Sequence, residues 1–122
     1  TLSLFDYGGL QNLRALAAAV RARGGQVAFD SNYRARGWIS PDAARIAIRN
    51  FAPHVNVALP TFADESELFG DRTPEDTAKR WLGWGARMAV VKDGGKGALL
   101  ADASGTRTVA TDANPQPRDT TG

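Results

Sequence analysis

Three short, largely apolar runs, at residues 27–29, 55–59 (interrupted by Asn56) and 88–91, alternate along this chain with segments whose apolar residues recur every three or four positions. The first pattern is that of strands buried on both faces, and the second is that of helices with one apolar stripe. Leu10, Leu13, Leu16, Ala17 and Val20 mark the first helix, and Gly24-Gly25 ends it. Ser40-Pro41-Asp42 is an N-cap followed by proline at the first helical position, after which Ala44, Ala47, Ile48 and Phe51 share a face. A short helix is expected over 63–69 with Gly70 as its stop. Thr73-Pro74-Glu75-Asp76 caps another, whose inward residues are Ala78, Trp81 and Leu82. Parallel strands need crossover connections, so this order predicts an α/β fold with a mostly parallel sheet and helices on its faces. Residues 98–101 and 106–109 read as a hairpin around 102–105 that extends one side of the sheet.

The rest of the chain sets limits on what such a fold does. With 43% apolar and 23% charged residues it is an ordinary globular composition rather than a disordered one. Residues 111–118, with Pro115 and Pro117, read as a polar connection, and the whole of 1–122 reads as part of one domain. The only methionine is Met88 and the first residue is Thr1, so the chain is expected to be an internal piece of a longer one. No stretch approaches the roughly 20 apolar residues that cross a bilayer, and no membrane partner is expected. There is no cysteine, which fits a reducing compartment and a cytoplasmic location. Fifteen Lys and Arg against 13 Asp and Glu leave a net charge of +2. The excess is scattered rather than gathered in a stripe, so nucleic acid is not an expected partner.

In an open parallel sheet, ligands bind beyond the carboxyl ends of the strands. Four polar clusters deserve reading by that position. Asp30-Ser31-Asn32-Tyr33-Arg34-Ala35-Arg36 follows the first strand. Its guanidiniums suit a carboxylate and its amide suits sugar hydroxyls, although Asp and Asn also simply satisfy turns. Thr61-Phe62-Ala63-Asp64-Glu65-Ser66-Glu67 places carboxylates in a first helical turn. There they either favour the helix dipole or help to hold a Mg²⁺ ion through its waters. Lys92-Asp93-Gly94-Gly95-Lys96-Gly97 is a hairpin turn or a close approach of backbone to a ligand, and it is not a Walker loop. Asp119-Thr120-Thr121-Gly122 reads as an approach to an anion-binding helix or as a chain end.

Taken in order, these clusters resemble the PfkB, or ribokinase-like, sugar kinases, and among them the 2-keto-3-deoxygluconate kinases. Residues 30–38 look like the pattern D-x-N-Y-R-x-R-x-W, and residues 119–122 look like the start of D-T-T-G-A-G-D. The resemblance implies a three-layer ribokinase-like fold with helices on both faces, part of it outside these residues. It implies that Asn32, Tyr33 and Arg34 bind the sugar acid and that Lys92, Gly94, Gly97, Thr121 and Gly122 lie at the nucleotide. Asp64 and Asp119 would serve metal ions: Asp64 near Mg²⁺, although Thr61 stands where the family motif has Asn, and Asp119 at a monovalent cation. The implied reaction moves the γ-phosphoryl of ATP to a primary hydroxyl of 2-keto-3-deoxygluconate, in an enzyme that is a homo-oligomer when intact. The family's base is the last Asp of its signature, beyond Gly122, so these residues alone are expected to be inactive. A fructokinase, ribokinase or tagatose kinase is the nearest alternative, and a non-catalytic nucleotide- or sugar-binding module is another.

Overall fold

The computed structural model describes residues 7–110. Helix α1 spans Tyr7–Ala22, strand β1 Ala28–Phe29, helix α2 Pro41–Phe51 and strand β2 Val57–Ala58. Helices α3, Phe62–Phe69, and α4, Pro74–Gly83, lead into strand β3, Met88–Lys92, which is followed by β4, Ala98–Asp102, and β5, Gly105–Val109. The strands lie in the order β1-β2-β3-β4-β5. Ala28 and Phe29 pair with Val57 and Ala58, which pair in turn with Met88 and Ala89, all parallel. The hairpin strands β4 and β5 then continue the sheet antiparallel from β3. The sheet is therefore mixed, with the parallel part on the side where helices connect the strands.

The two parallel strands are shorter than their apolar runs. Val55 is buried without pairing in the ladder, while Asn56 and Leu59 donate backbone bonds to Val27 and Phe29, each 2.8 Å, and the Asn56 carbonyl accepts from Arg87 at 2.9 Å and Met88 at 3.3 Å on the other side. What fixes these strands is side-chain packing. Phe29 meets Phe51 of α2 at a ring separation of 4.9 Å and Trp81 of α4 at 6.0 Å. Ile48, Val55 and Trp81 are each 1% exposed in the same core. In β3 and β4 burial alternates, with Ala89, Val91, Leu99 and Ala101 inside. Crossovers are right-handed as a rule, so strands added in one direction stack their helices on one face. Among the described residues that face holds the core, whereas Met88, Val90 and Leu100 on the other are half-buried.

The caps act where the residue types require. The Ser40 hydroxyl accepts from the backbone N–H of Ala43, and the Thr73 hydroxyl accepts from that of Asp76. Each relieves an N–H that the helix itself cannot satisfy. Gly70 ends α3 at φ 77°, in the left-handed region that glycine enters without penalty. On α1, Leu10 and Ala17 are buried but Leu16 is 61% exposed, so the stripe at the surface is narrower than its apolar sequence. Ser40→Ala and Thr73→Ala are each expected to lower stability by about 1 kcal/mol. Urea unfolding checks this, and Ser40→Asp, which keeps a capping oxygen, should stay close to wild type.

Candidate functional site

The carboxyl ends of β1, β2 and β3 lie side by side because the strands pair in register, and each is followed at once by polar residues. The Lys92 backbone N–H donates to the Pro60 carbonyl at 2.9 Å, and Thr61 bridges Lys92 in parallel, so the second and third loops stay together one step past the ladder. Across the same end, the Lys92 ammonium donates to Asp30 at 2.7 Å, with both side chains about one-third exposed. This pair links the first strand's end to the third's.

Between these two loops stands Asp64, in the first turn of α3. Burial raises its pKa, and the Asp30 and Glu67 carboxylates push the same way, while Arg34 and Lys92 oppose them. Asp64 thus sits among carboxylates on one side and cations on the other, partly withdrawn from water. No group of three or more metal-ligating side chains occurs among the described residues. One or two carboxylates are what Mg²⁺ takes from a protein when phosphate and water supply the rest, so Asp64 fits that ion in chemistry and number.

The loop after β1 alternates buried and exposed residues. Ser31 and Tyr33 are 4% and 5% exposed, and between them Asn32 is exposed at φ 42°. Asparagine tolerates this left-handed conformation better than most residues, and its own N–H donates to the Asp30 carboxylate at 3.0 Å. Arg34 is exposed, with one guanidinium N–H on the Tyr33 carbonyl at 3.1 Å. Asn32 and Arg34 are therefore exposed, Arg34 close enough to Asp64 to lower its pKa and Asn32 bonded to the Asp30 that pairs with Lys92, whereas Tyr33 belongs to the core.

Behind this loop lies a residue whose type and spacing point to no role of its own. Glu65 is fully buried, and its carboxylate accepts from the Ser31 hydroxyl at 3.1 Å, from Arg80 at 3.2 Å and from the Trp81 indole N–H at 2.6 Å. Burial raises its pKa, and Arg80, Trp81 and Ser31 hold it down. Arg80 also pairs with Asp71, which accepts from Thr77 at 2.6 Å. Its guanidinium carbon lies 4.0 Å from the Phe69 ring centre and 4.8 Å from that of Trp84. The signal in the sequence is that Glu65 interrupts the helical stripe of Phe62, Leu68 and Phe69.

Lys96 and the glycines form a tight turn between the antiparallel strands β3 and β4. Gly94 has φ 54°, Gly97 has φ 99° and ψ −139°, and the Asp93 N–H donates to the Gly97 carbonyl at 2.8 Å. The hairpin alone requires these glycines. A surface hollow of about 520 Å³, lined by Leu82, Ala86, Arg87 and residues 102–104, opens at the opposite end of β3 from the polar cluster. Asp119, Thr121 and Gly122 lie outside the described residues.

A short parallel sheet with polar loops gathered at one end, extended by a hairpin, is the arrangement of ribokinase-like α/β proteins. The fructokinase of Vibrio cholerae, solved with fructose, ADP and calcium, superposes with a TM-score of 0.85 at 26% identity, over 99% of this chain and 39% of that one. The model of the pfkB family carbohydrate kinases matches residues 7–122, and the chain belongs to that family. Among curated relatives, the 2-dehydro-3-deoxygluconokinase of Haemophilus influenzae is 38% identical over 85 residues, which cover 70% of this chain and 27% of that protein. The enzyme of the same name from Dickeya dadantii is 32% identical over 101 residues, 83% of this chain and 33% of that protein. The chain thus spans about a third of the length of these relatives.

Removing one member of a buried ion pair strands the others, so Glu65→Ala should lower stability by about 3–5 kcal/mol. Glu65→Gln keeps an acceptor for Arg80 and Trp81 and should cost far less. Because the folded-state pKa is raised, wild type gains relative to Glu65→Gln as pH falls toward the ordinary glutamate range, and loses that advantage as pH rises through the raised value. Denaturant unfolding of both proteins across pH 5–8 reads the difference.

Proposed function

We propose that the full-length protein phosphorylates the sugar acid 2-keto-3-deoxygluconate at its primary hydroxyl, using ATP and giving 2-keto-3-deoxy-6-phosphogluconate and ADP. The observation that carries this reading is the exposed pair Asn32 and Arg34 after β1, with Arg34 near Asp64 and Asn32 bonded to Asp30, the partner of Lys92. A guanidinium grips a carboxylate through two parallel charge-assisted bonds, and an amide both donates to and accepts from hydroxyls. The two curated relatives named 2-dehydro-3-deoxygluconokinase support the same substrate.

In this reading Arg34 holds the acid's carboxylate, Asn32 orients its hydroxyls and Tyr33 backs both from the core. Lys92 faces the nucleotide phosphates, and its present bond to Asp30 keeps the ammonium at the strand end until a phosphate competes for it. Gly94 and Gly97 carry no side chain to block a nucleotide's approach to the backbone at those two positions, and Thr121 and Gly122 continue that site. Asp64 would hold Mg²⁺ through its waters, and Asp119 a monovalent cation. Bound Mg²⁺ neutralises charge on the phosphates. The hydroxyl oxygen attacks the γ-phosphorus, the bond to the β-phosphate oxygen breaks, ADP leaves, and the hydroxyl proton passes to a base. By family resemblance that base is the aspartate ending the signature that begins at Asp119. Catalysis of this kind rests on positioning and charge neutralisation. We place the reaction in the cytoplasm, where ATP is supplied, and in a homo-oligomer.

The likeness to a fructokinase favours a second reading, a kinase of a neutral sugar. Such a sugar gives Arg34 no anion to bind. Arg34→Ala in the full-length enzyme should raise the KM for the sugar acid at least about tenfold while leaving that for ATP within about twofold, the signature of lost binding to one substrate. Steady-state kinetics with each substrate varied in turn measures both, and equal effects would argue against the carboxylate role.

A further inference from the structure

In the loop after β1, Ser31 reaches into the core to another element: its hydroxyl donates to Glu65 of α3 across 34 positions of sequence. The exposed residues of this loop are framed by two buried ones. Ser31 is tied to Glu65, Tyr33 is packed in the core, and Asn32 is displayed between them at φ 42°. A non-glycine residue held there is strained and needs its neighbours fixed to stay. Glu65 is itself fixed, because Arg80 and the Trp81 indole hold its other oxygen. The adjacent residue of α3 is Asp64, and successive helical residues point about 100° apart. One helical turn therefore carries an outward carboxylate at the strand ends and an inward one that grips the loop.

We propose that Glu65, acting through Ser31, is a positioning residue for phosphoryl-acceptor binding: it sets the conformation in which Asn32 and Arg34 are presented beside Asp64. An apolar core at this place would hold α3 to α4 equally well, and burying a carboxylate there costs free energy that apolar packing does not. The hydroxyl of Ser31 gives that carboxylate a function on the ligand side. This inference rests on the reading of Asn32 and Arg34 as acceptor-binding residues.

Ser31→Ala tests it in the full-length enzyme, since it removes the link and leaves Glu65 bonded to Arg80 and Trp81. It should raise the acceptor KM about tenfold, with kcat within about threefold and the KM for ATP within about twofold, as for loss of a hydrogen bond to a charged group that acts on one substrate only. Val55→Ala, a core truncation remote from the loop in sequence, is the control; it should lower the melting temperature at least as much and leave the acceptor KM unchanged. An unchanged acceptor KM in Ser31→Ala, or equal rises for acceptor and ATP, overturns the inference. Asn32→Ala separates the two claims. If it raises the acceptor KM and Ser31→Ala does not, positioning by Glu65 fails and the acceptor wall stands. If neither Asn32→Ala nor Arg34→Ala moves the acceptor KM, the wall itself is refuted and the inference with it.

Discussion

A buried carboxylate holds this part of the molecule together. Glu65 has no exposed surface, and a charge there is tolerable only because three donors meet it. Those donors come from the loop after β1 and from two consecutive residues of α4, so one side chain ties the sheet's end to the last helix of the crossover. Arg80 extends the network to Asp71 and lies against the rings of Phe69 and Trp84. One of its guanidinium nitrogens, Nη1, has no hydrogen-bond partner, and the attraction of the aromatic faces for a cation offsets part of that loss.

The need for such a fixture follows from how short the parallel strands are. Two residues each in β1 and β2 give few backbone bonds, and a pair so brief does not set its own register. Phe29, Phe51 and Trp81 set it by packing, and the polar network sets where the chain goes next. The consequence for function is a site built on loops but fixed by groups behind them. Asn32 and Arg34 are exposed, yet the residues on either side of Asn32 are buried.

Helix boundaries were readable because their chemistry is local. Ser40 and Thr73 cap as their type and spacing require, and Gly70 stops α3 in the conformation that favours glycine. The run at 55–59 was read as strand throughout, because apolar sequence reports burial and not pairing; only Val57 and Ala58 join the ladder. At the site, position after a strand was enough to pick out residues 30–36, Asp64 and Lys92. Sequence did not show which of two adjacent acids, Asp64 or Glu65, faces the core, since an acidic first turn suits the helix dipole either way. Nor did it show that Lys92 pairs with Asp30 across 62 positions, or that Tyr33 turns inward. Such contacts depend on the register of the sheet, which no local pattern encodes. The family resemblance read from residues 30–38 agrees with the match of the family model over 7–122.

The central claim is that the end of β1 is built for an acid. The most direct measurement is kcat/KM of the full-length enzyme for 2-keto-3-deoxygluconate and for fructose, determined in one ATP-coupled assay. The account predicts a preference of about tenfold or more for the sugar acid, since only that ligand brings a carboxylate for Arg34 to bind through charge-assisted hydrogen bonds. Equal values, or a preference for fructose, would contradict it.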